Sequence, residues 1–134
     1  MIVVDTNVIH YCWVHGQHTE LAQAVRRQDP DWHAPILWRS EMRNVLTAYF
    51  RRGLLSRSQI ARILRSADQG LAEGEHIVAD SLVLDVVVNS TLTAYDAEFV
   101  ALASVLAVPL VTADKAVLKA FPDHALTMEA FLGK

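Results

Sequence analysis

The sequence predicts an α/β sandwich with a central, mostly parallel sheet. Three observations predict it. Ile2-Val3-Val4 and Pro109 to Thr112 are short apolar runs without polar alternation, the pattern of strands buried on both faces. Leu37 to Arg51 carries Leu37, Trp38, Met42, Val45, Leu46, Tyr49 and Phe50 at the three-and-four spacing of one helical face. Strand-like and helix-like stretches alternate along the chain, as crossover helices between parallel strands require.

Each element has its own warrant. Asp5 ends the first strand, and Thr6 to Val14 then reads as a helix. Thr19 to Gln28 is a second helix, stopped by Asp29-Pro30, and Trp32-His33-Ala34 a short strand closed by Pro35. The Leu37 helix ends before Gly53. Ser56 and Gln59 have capping-box spacing and open a helix to about Leu71. Ile77-Val78-Ala79 is the next expected strand. Asp80 to Ser90 is strand-like in propensity but helix-length, with Asp80 or Ser81 available as a cap, and is read as helix. Ala94 to Ala107 is a helix, Asp114 to Phe121 a short one halted by Pro122, and Ala125-Leu126-Thr127 a last strand before a final helical turn. In such sheets ligands bind beyond the carboxyl ends of the strands.

Composition narrows the function. The chain has 134 residues, read as one domain over 1–134, and 52% are apolar, which excludes disorder as the main state. A net charge of −3 argues against a module that coats nucleic acid by charge alone. The single cysteine, Cys12, forbids an intramolecular disulfide and the usual structural zinc sites. The amino terminus lacks a basic leader, and the longest apolar stretch, Val100 to Ala113, is too short to span a bilayer. A cytoplasmic protein with no membrane attachment is expected.

Four acids stand out. Asp5 and Asp114 each follow a buried strand and should surface at the same sheet edge. Glu41 and Asp96 lie near helix starts that can face that edge. Each also has an ordinary structural explanation: Asp5 and Asp114 as helix caps, Asp96 in the capping spacing Thr93-Ala94-Tyr95-Asp96, Glu41 favoured by its helix dipole. Gathered together they would repel, by roughly 4 kcal/mol for a pair 4 Å apart at an effective dielectric of 20. Such a cluster takes up protons or binds a cation. An all-oxygen ligand set favours Mg²⁺ or Mn²⁺ over Zn²⁺.

Four segments carry a resemblance: Val3-Val4-Asp5-Thr6-Asn7-Val8-Ile9, Glu41-Met42-Arg43-Asn44-Val45-Leu46, Tyr95-Asp96-Ala97-Glu98-Phe99-Val100-Ala101-Leu102-Ala103 and Leu110-Val111-Thr112-Ala113-Asp114. In order and spacing they resemble the PIN-domain ribonucleases, and most of all the small VapC-type toxins of bacterial toxin–antitoxin pairs. The resemblance runs over essentially the whole chain. It implies a three-layer α/β/α sandwich and an acidic metal site of Asp5, Glu41, Asp96 and Asp114 holding one or two Mg²⁺ or Mn²⁺ ions, with Thr6, Asn7 and Thr112 in support. It further implies a homodimer and a small cognate antitoxin whose tail covers the acidic groove.

The basic residues are segregated. All nine arginines lie between Arg26 and Arg65 and meet only three acids there, a net of +6; the rest of the chain sets three lysines against twelve acids, a net of −9. This suggests a phosphate-steering face around Glu41, with Arg39, Arg43 and Lys115 as candidate substrate contacts, although charged helix faces are also ordinary solubility devices. Trp13, Trp32, Trp38, Tyr49 and Tyr95 are of a kind that stacks on unpaired bases, but at these spacings most read as core or dimer contacts. His10, His15 and His18 beside Cys12 fit no standard zinc spacing and read as a surface loop.

The reading that follows is a metal-dependent endoribonuclease leaving 5′-phosphate ends, in which Asp96 or Asp114 accepts the proton of the attacking water. A haloacid-dehalogenase-like phosphatase needs a second Asp where Asn7 stands, a receiver domain needs a further acid pair, and neither a phosphate loop nor a nucleophile elbow occurs. The alternatives are a solitary RNA-processing nuclease and a non-catalytic RNA- or protein-binding module on the same fold.

Overall fold

The computed structural model describes residues 1–134. Five short strands, β1 (Ile2–Val4), β2 (Trp32–Pro35), β3 (Glu75–His76), β4 (Leu110–Val111) and β5 (Ala125–Leu126), form one sheet in the order β3-β2-β1-β4-β5. Every pairing is parallel. The helices are α1 (Thr6–Trp13), α2 (Thr19–Gln28), α3 (Trp38–Arg51), α4 (Arg57–Leu71), α5 (Asp80–Val88), α6 (Ala94–Leu106), α7 (Lys115–Ala120) and α8 (Met128–Phe131). No helix is long and apolar enough to cross a membrane.

The central strand is the most buried part of the chain. Ile2, Val3 and Val4 are shielded on both faces, as their unbroken apolar run requires. Helix α6 packs on β1, β2 and β4 and carries α5 against it. Helix α1 packs on α2, α3 and α4, with Trp13 edge-on to Trp32 of β2. The result is the expected α/β/α layering. Helix starts follow the expected caps: Ser56 and Gln59 close a reciprocal capping box, and Thr93 Oγ1 accepts from Asp96 N at 3.1 Å. Asp80 to Val88 is helical, its high β propensity overridden by packing on α6.

One strand lies elsewhere than expected. The edge strand is Glu75–His76, not Ile77-Val78-Ala79, and Ile77 is 88% exposed. Backbone approach decides this placement. Ala34 N donates to Gly74 O at 2.9 Å and Ile36 N to His76 O at 2.8 Å. A side chain at Gly74 would put its Cβ 2.0 Å from the Trp32 carbonyl oxygen, so only glycine allows the chain to enter the sheet here. Glu75 is then fixed by polar partners: its carboxylate accepts from Trp38 Nε1 at 2.9 Å and from Arg39 Nε at 2.6 Å and Nη2 at 2.7 Å. Arg39 also pairs with Asp68 on α4. Together these contacts pin the start of α3 to β3 and α4.

Replacing Gly74 should therefore uncouple β3. Gly74→Ala is expected to destabilise the fold by more than about 2 kcal/mol, since the clash is with backbone, which cannot move aside. Urea unfolding monitored by circular dichroism checks this; a midpoint equal to that of the unaltered chain would show that β3 is dispensable.

Candidate active site

Beyond the carboxyl ends of β1 and β4 lies a cleft of about 410 Å³, lined by Asp5, Thr6, Asn7, His10, Tyr11, Glu41, Asn44, Val45, Asp96 and Asp114. The chain delivers the acids in two ways. Asp5 and Asp114 follow neighbouring strands and cap the helices that leave them, while Glu41 and Asp96 sit in the first turns of α3 and α6. The cap roles are real: Asp5 Oδ1 accepts from Thr6 N at 2.8 Å, and Asp114 Oδ1 from Ala116 N at 2.8 Å and Val117 N at 3.3 Å. They do not exhaust the acids, because Asp5 Oδ2 faces a second set of contacts.

That second set ties the acids to one another. Thr112 Oγ1 donates to Asp5 Oδ2 at 2.7 Å and accepts from Asp114 N at 3.0 Å, so one hydroxyl bridges two acidic residues. Thr6 Oγ1 donates to Glu41 Oε1 at 2.7 Å. Asn7 Oδ1 accepts from Ala113 N at 3.2 Å and so holds the turn that leads to Asp114.

The electrostatics record mutual proximity. Burial pushes the Asp5 carboxyl up to about 6, against the lowering pull of its bonds to Thr112 and Thr6; the charges of Glu41 and Asp96 raise it further. Burial also raises Glu41, with Asp96 adding to the effect, and raises Asp96, with Asp114 adding. Glu98, on the same helix as Asp96, is raised by burial and by Glu41. No lysine or arginine lines the cleft.

The donor set is all-oxygen and uncompensated, which fits a hard divalent cation. The carboxylates share the cleft without already being gathered on one point: no three His, Cys, Asp or Glu side chains in the chain stand ready to hold one ion.

Three sequence candidates lie elsewhere. Arg39 is engaged by Glu75 and Asp68, Arg43 lines an apolar depression between α3 and α4 with Leu46, Phe50 and Ile60, and Lys115 is an exposed residue at the start of α7. Two residues from Glu41, both arginines fall off the helix face that Glu41 shares. Cys12 is buried in the core, far up its titration scale at about 11 because of that burial, with no histidine group around it. His10 is not in a loop but on α1, half-buried in the cleft wall. His10, Tyr11 and Asn44 were not singled out as site residues from the sequence. Their signal was available: His10 follows Thr6 by four, Tyr11 follows Asn7 by four, and Asn44 follows Glu41 by three.

A family model described as PIN domain matches residues 2–122. Among solved structures, the chain is similar to PAE2754 from Pyrobaculum aerophilum, with 23% identity and a TM-score of 0.73 over 98% of this chain and 93% of that one. It is also similar to FitAcB from Neisseria gonorrhoeae, with 18% identity and a TM-score of 0.75 over 96% and 98% of the respective chains. At these identities the likeness concerns the fold. No curated protein sequence matches.

The raised Asp5 carboxyl has a thermodynamic consequence. The folded state holds the proton more tightly than the unfolded chain, so this contribution is fully present below about pH 4 and lost as pH rises through about 6. The buried charge then costs the metal-free protein roughly 3 kcal/mol at neutral pH. In EDTA at pH 7.5, Asp5→Asn is expected to be more stable than the unaltered chain by about 2 kcal/mol, the two converging near pH 4. Thermal unfolding across that range checks the sign; a stabilisation independent of pH would contradict the burial of a charge.

Proposed function

The chain belongs to the PIN-domain family, typically nucleases, and on that premise we propose that it is a metal-dependent endoribonuclease. The observation that carries the reading is the cleft itself: four carboxylates from four elements, with Thr112 tying the Asp5 carboxylate to the Asp114 backbone N–H and no lysine or arginine among them.

In this reading Asp5, Glu41, Asp96 and Asp114 hold one or two Mg²⁺ or Mn²⁺ ions. The ion supplies Lewis-acid chemistry, offsetting charge at the phosphodiester. The chain's own part is positional. Thr112 fixes Asp5 and the backbone of Asp114, Thr6 fixes Glu41, and Asn7 fixes the turn between β4 and α7. Both candidate bases are held at their helix starts, Asp114 Oδ1 by two backbone N–H groups and the Asp96 carboxylate by the Thr93 hydroxyl. One of the two, Asp96 or Asp114, accepts the proton of the attacking water. Water attacks phosphorus and the 3′ oxygen leaves, giving 5′-phosphate and 3′-hydroxyl ends.

The segments that resemble VapC-type toxins support a finer reading: a cytoplasmic toxin, homodimeric, one nuclease domain over 1–134, and silenced by a cognate antitoxin. A solitary RNA-processing nuclease has the same cleft, and a binding module on this fold has no use for the four acids.

Purified protein with Mg²⁺ or Mn²⁺ is expected to cut single-stranded RNA, to lose activity in EDTA, and to lose at least about a hundredfold in rate as Glu41→Gln or Asp96→Asn. RNA-end sequencing reads the 5′-phosphate. Cleavage that persists in EDTA refutes the metal mechanism. Growth arrest on expression, relieved by the product of the neighbouring gene, separates toxin from solitary nuclease.

A further inference from the structure

The acidic end of the cleft is only half of it. Helices α1 and α3 continue the cleft by one turn past the acids with His10, Tyr11, Asn44 and Val45, a wall with no formal charge of its own except on a protonated histidine. The spacing is regular: Asn7 to His10 and Tyr11 on α1, Glu41 to Asn44 and Val45 on α3. One helical turn advances about 5 Å, so the neutral wall begins about a nucleotide's sugar away from the acids.

Two rings line this wall, His10 and Tyr11, with His18 and Tyr49 packed beside them. Tyr11 lies 5.5 Å from His10 and 4.6 Å from His18, and His10 lies 5.7 Å from Tyr49, centroid to centroid. Tyr11 is part-exposed and Asn44 exposed, so both present surface to an incoming molecule. His10 Nε2 is shielded from solvent with no hydrogen-bond partner. A buried polar atom without a partner is unusual, and a half-turn of the ring exchanges Nε2 with Cε1, so no hydrogen bond of that nitrogen fixes which way the ring stands.

With no lysine or arginine in the cleft, a phosphate group finds no cationic side chain there to set its register. The neutral wall is the remaining surface that can do so. Its chemistry is that of single-strand recognition: aromatic faces on which any base stacks, and an amide that matches the hydrogen-bonding edge of a base.

We propose that His10, Tyr11 and Asn44 form a subsite for one unpaired nucleobase next to the scissile phosphate, Tyr11 stacking on it, His10 flanking Tyr11 and Asn44 reading its edge. The subsite rests on the reading of the cleft as an RNA-cleaving site. It makes cleavage selective for an unstacked nucleotide, and it assigns specificity to residues on the same two helices that carry the metal-site acids.

The test uses short single-stranded RNAs in which one abasic nucleotide is walked along the sequence, with KM and kcat measured in Mg²⁺. For the unaltered protein, an abasic nucleotide adjacent to the cut is expected to raise KM by about tenfold to a hundredfold. Tyr11→Ala and Asn44→Ala should raise KM on intact RNA, with KM carrying the loss, and lose nothing more when that base is missing. Tyr11→Phe should behave as the unaltered protein. If no position next to the cut matters, or if the variants lose as much again on abasic RNA, the subsite is overturned while the nuclease reading stands. Equilibrium binding in Ca²⁺, read by fluorescence anisotropy, separates the opposite failure. Base-dependent binding without cleavage in any divalent metal would retain the subsite and sink the nuclease. Equal binding of intact and abasic RNAs, or no binding by either, counts against the subsite.

Discussion

The pairing of β1 with β4 is the constraint on which the rest of the cleft depends. In parallel register Val3 meets Leu110 and Val4 meets Val111, and Asp5 N donates to Val111 O at 3.0 Å. The next residues, Asp5 and Thr112, are thereby brought side by side. Thr112 is fully buried and Asp5 7% exposed, so the hydrogen bond between them sits where water cannot replace it. A slip of one residue would turn every side chain of β4 to the other face and leave Asp5 buried without its partner. The apolar runs that make these strands buried are therefore also what fixes the acids at the edge.

Glu41 reaches the same cleft by a different route. It lies on α3, whose first turn has no side-chain cap on Leu37. Arg39 and Trp38 supply the anchorage, through the Glu75 carboxylate on β3 and, for Arg39, Asp68 on α4. Bidentate arginine–carboxylate geometry fixes direction as well as distance, which suits a helix that must aim one carboxylate at a cleft wall. This is why arginines crowd the segment around Glu41 without lining the cleft: Arg39 holds the helix, and Arg43 faces the groove between α3 and α4. The net charge of −3 is the sum of an arginine-rich segment over 26–65 and an acidic remainder that supplies three of the four cleft acids.

What the sequence made legible follows from how local each determinant is. Strands ending in Asp, caps at Ser56 and Thr93, and the one-sided face of α3 are short-range patterns, and they located the strand ends and helix starts that carry Asp5, Glu41, Asp96 and Asp114, while only the resemblance joined the four into one site. The edge strand was misplaced because its position is set by contacts distant in sequence: Gly74 against the Trp32 carbonyl, and Glu75 with Arg39, 36 residues away. Apolar propensity favoured Ile77-Val78-Ala79, but an edge strand held by polar partners has no need of it. The charge segregation was equally visible, yet opposite signs on one segment do not reveal which arginine an acid elsewhere will claim. Tyr11 escaped notice because aromatic residues on a helix usually serve the core, and the sequence offers His10 only as a zinc ligand or a loop residue; only the cleft's position shows that the two border it.

The four acids share one further feature, and its magnitude is informative. Asp5 and Asp114 cap α1 and α7, while Glu41 and Asp96 occupy the first turns of α3 and α6, so each sits at the positive end of a helix dipole. Each such placement is worth about 0.3–1 kcal/mol. A pair of unit charges 4 Å apart would repel by roughly 4 kcal/mol at an effective dielectric of 20. Helix ends therefore soften the repulsion without cancelling it. Asp5, Glu41 and Asp96 are all shifted upward, by burial first and by neighbouring carboxylates in addition. A fold needing only caps could place them at four unrelated corners, as it does for Ser56 and Thr127. Bringing four acidic helix starts to one cleft creates a demand for positive charge that the chain's own side chains do not meet, and that is the property a hard cation exploits.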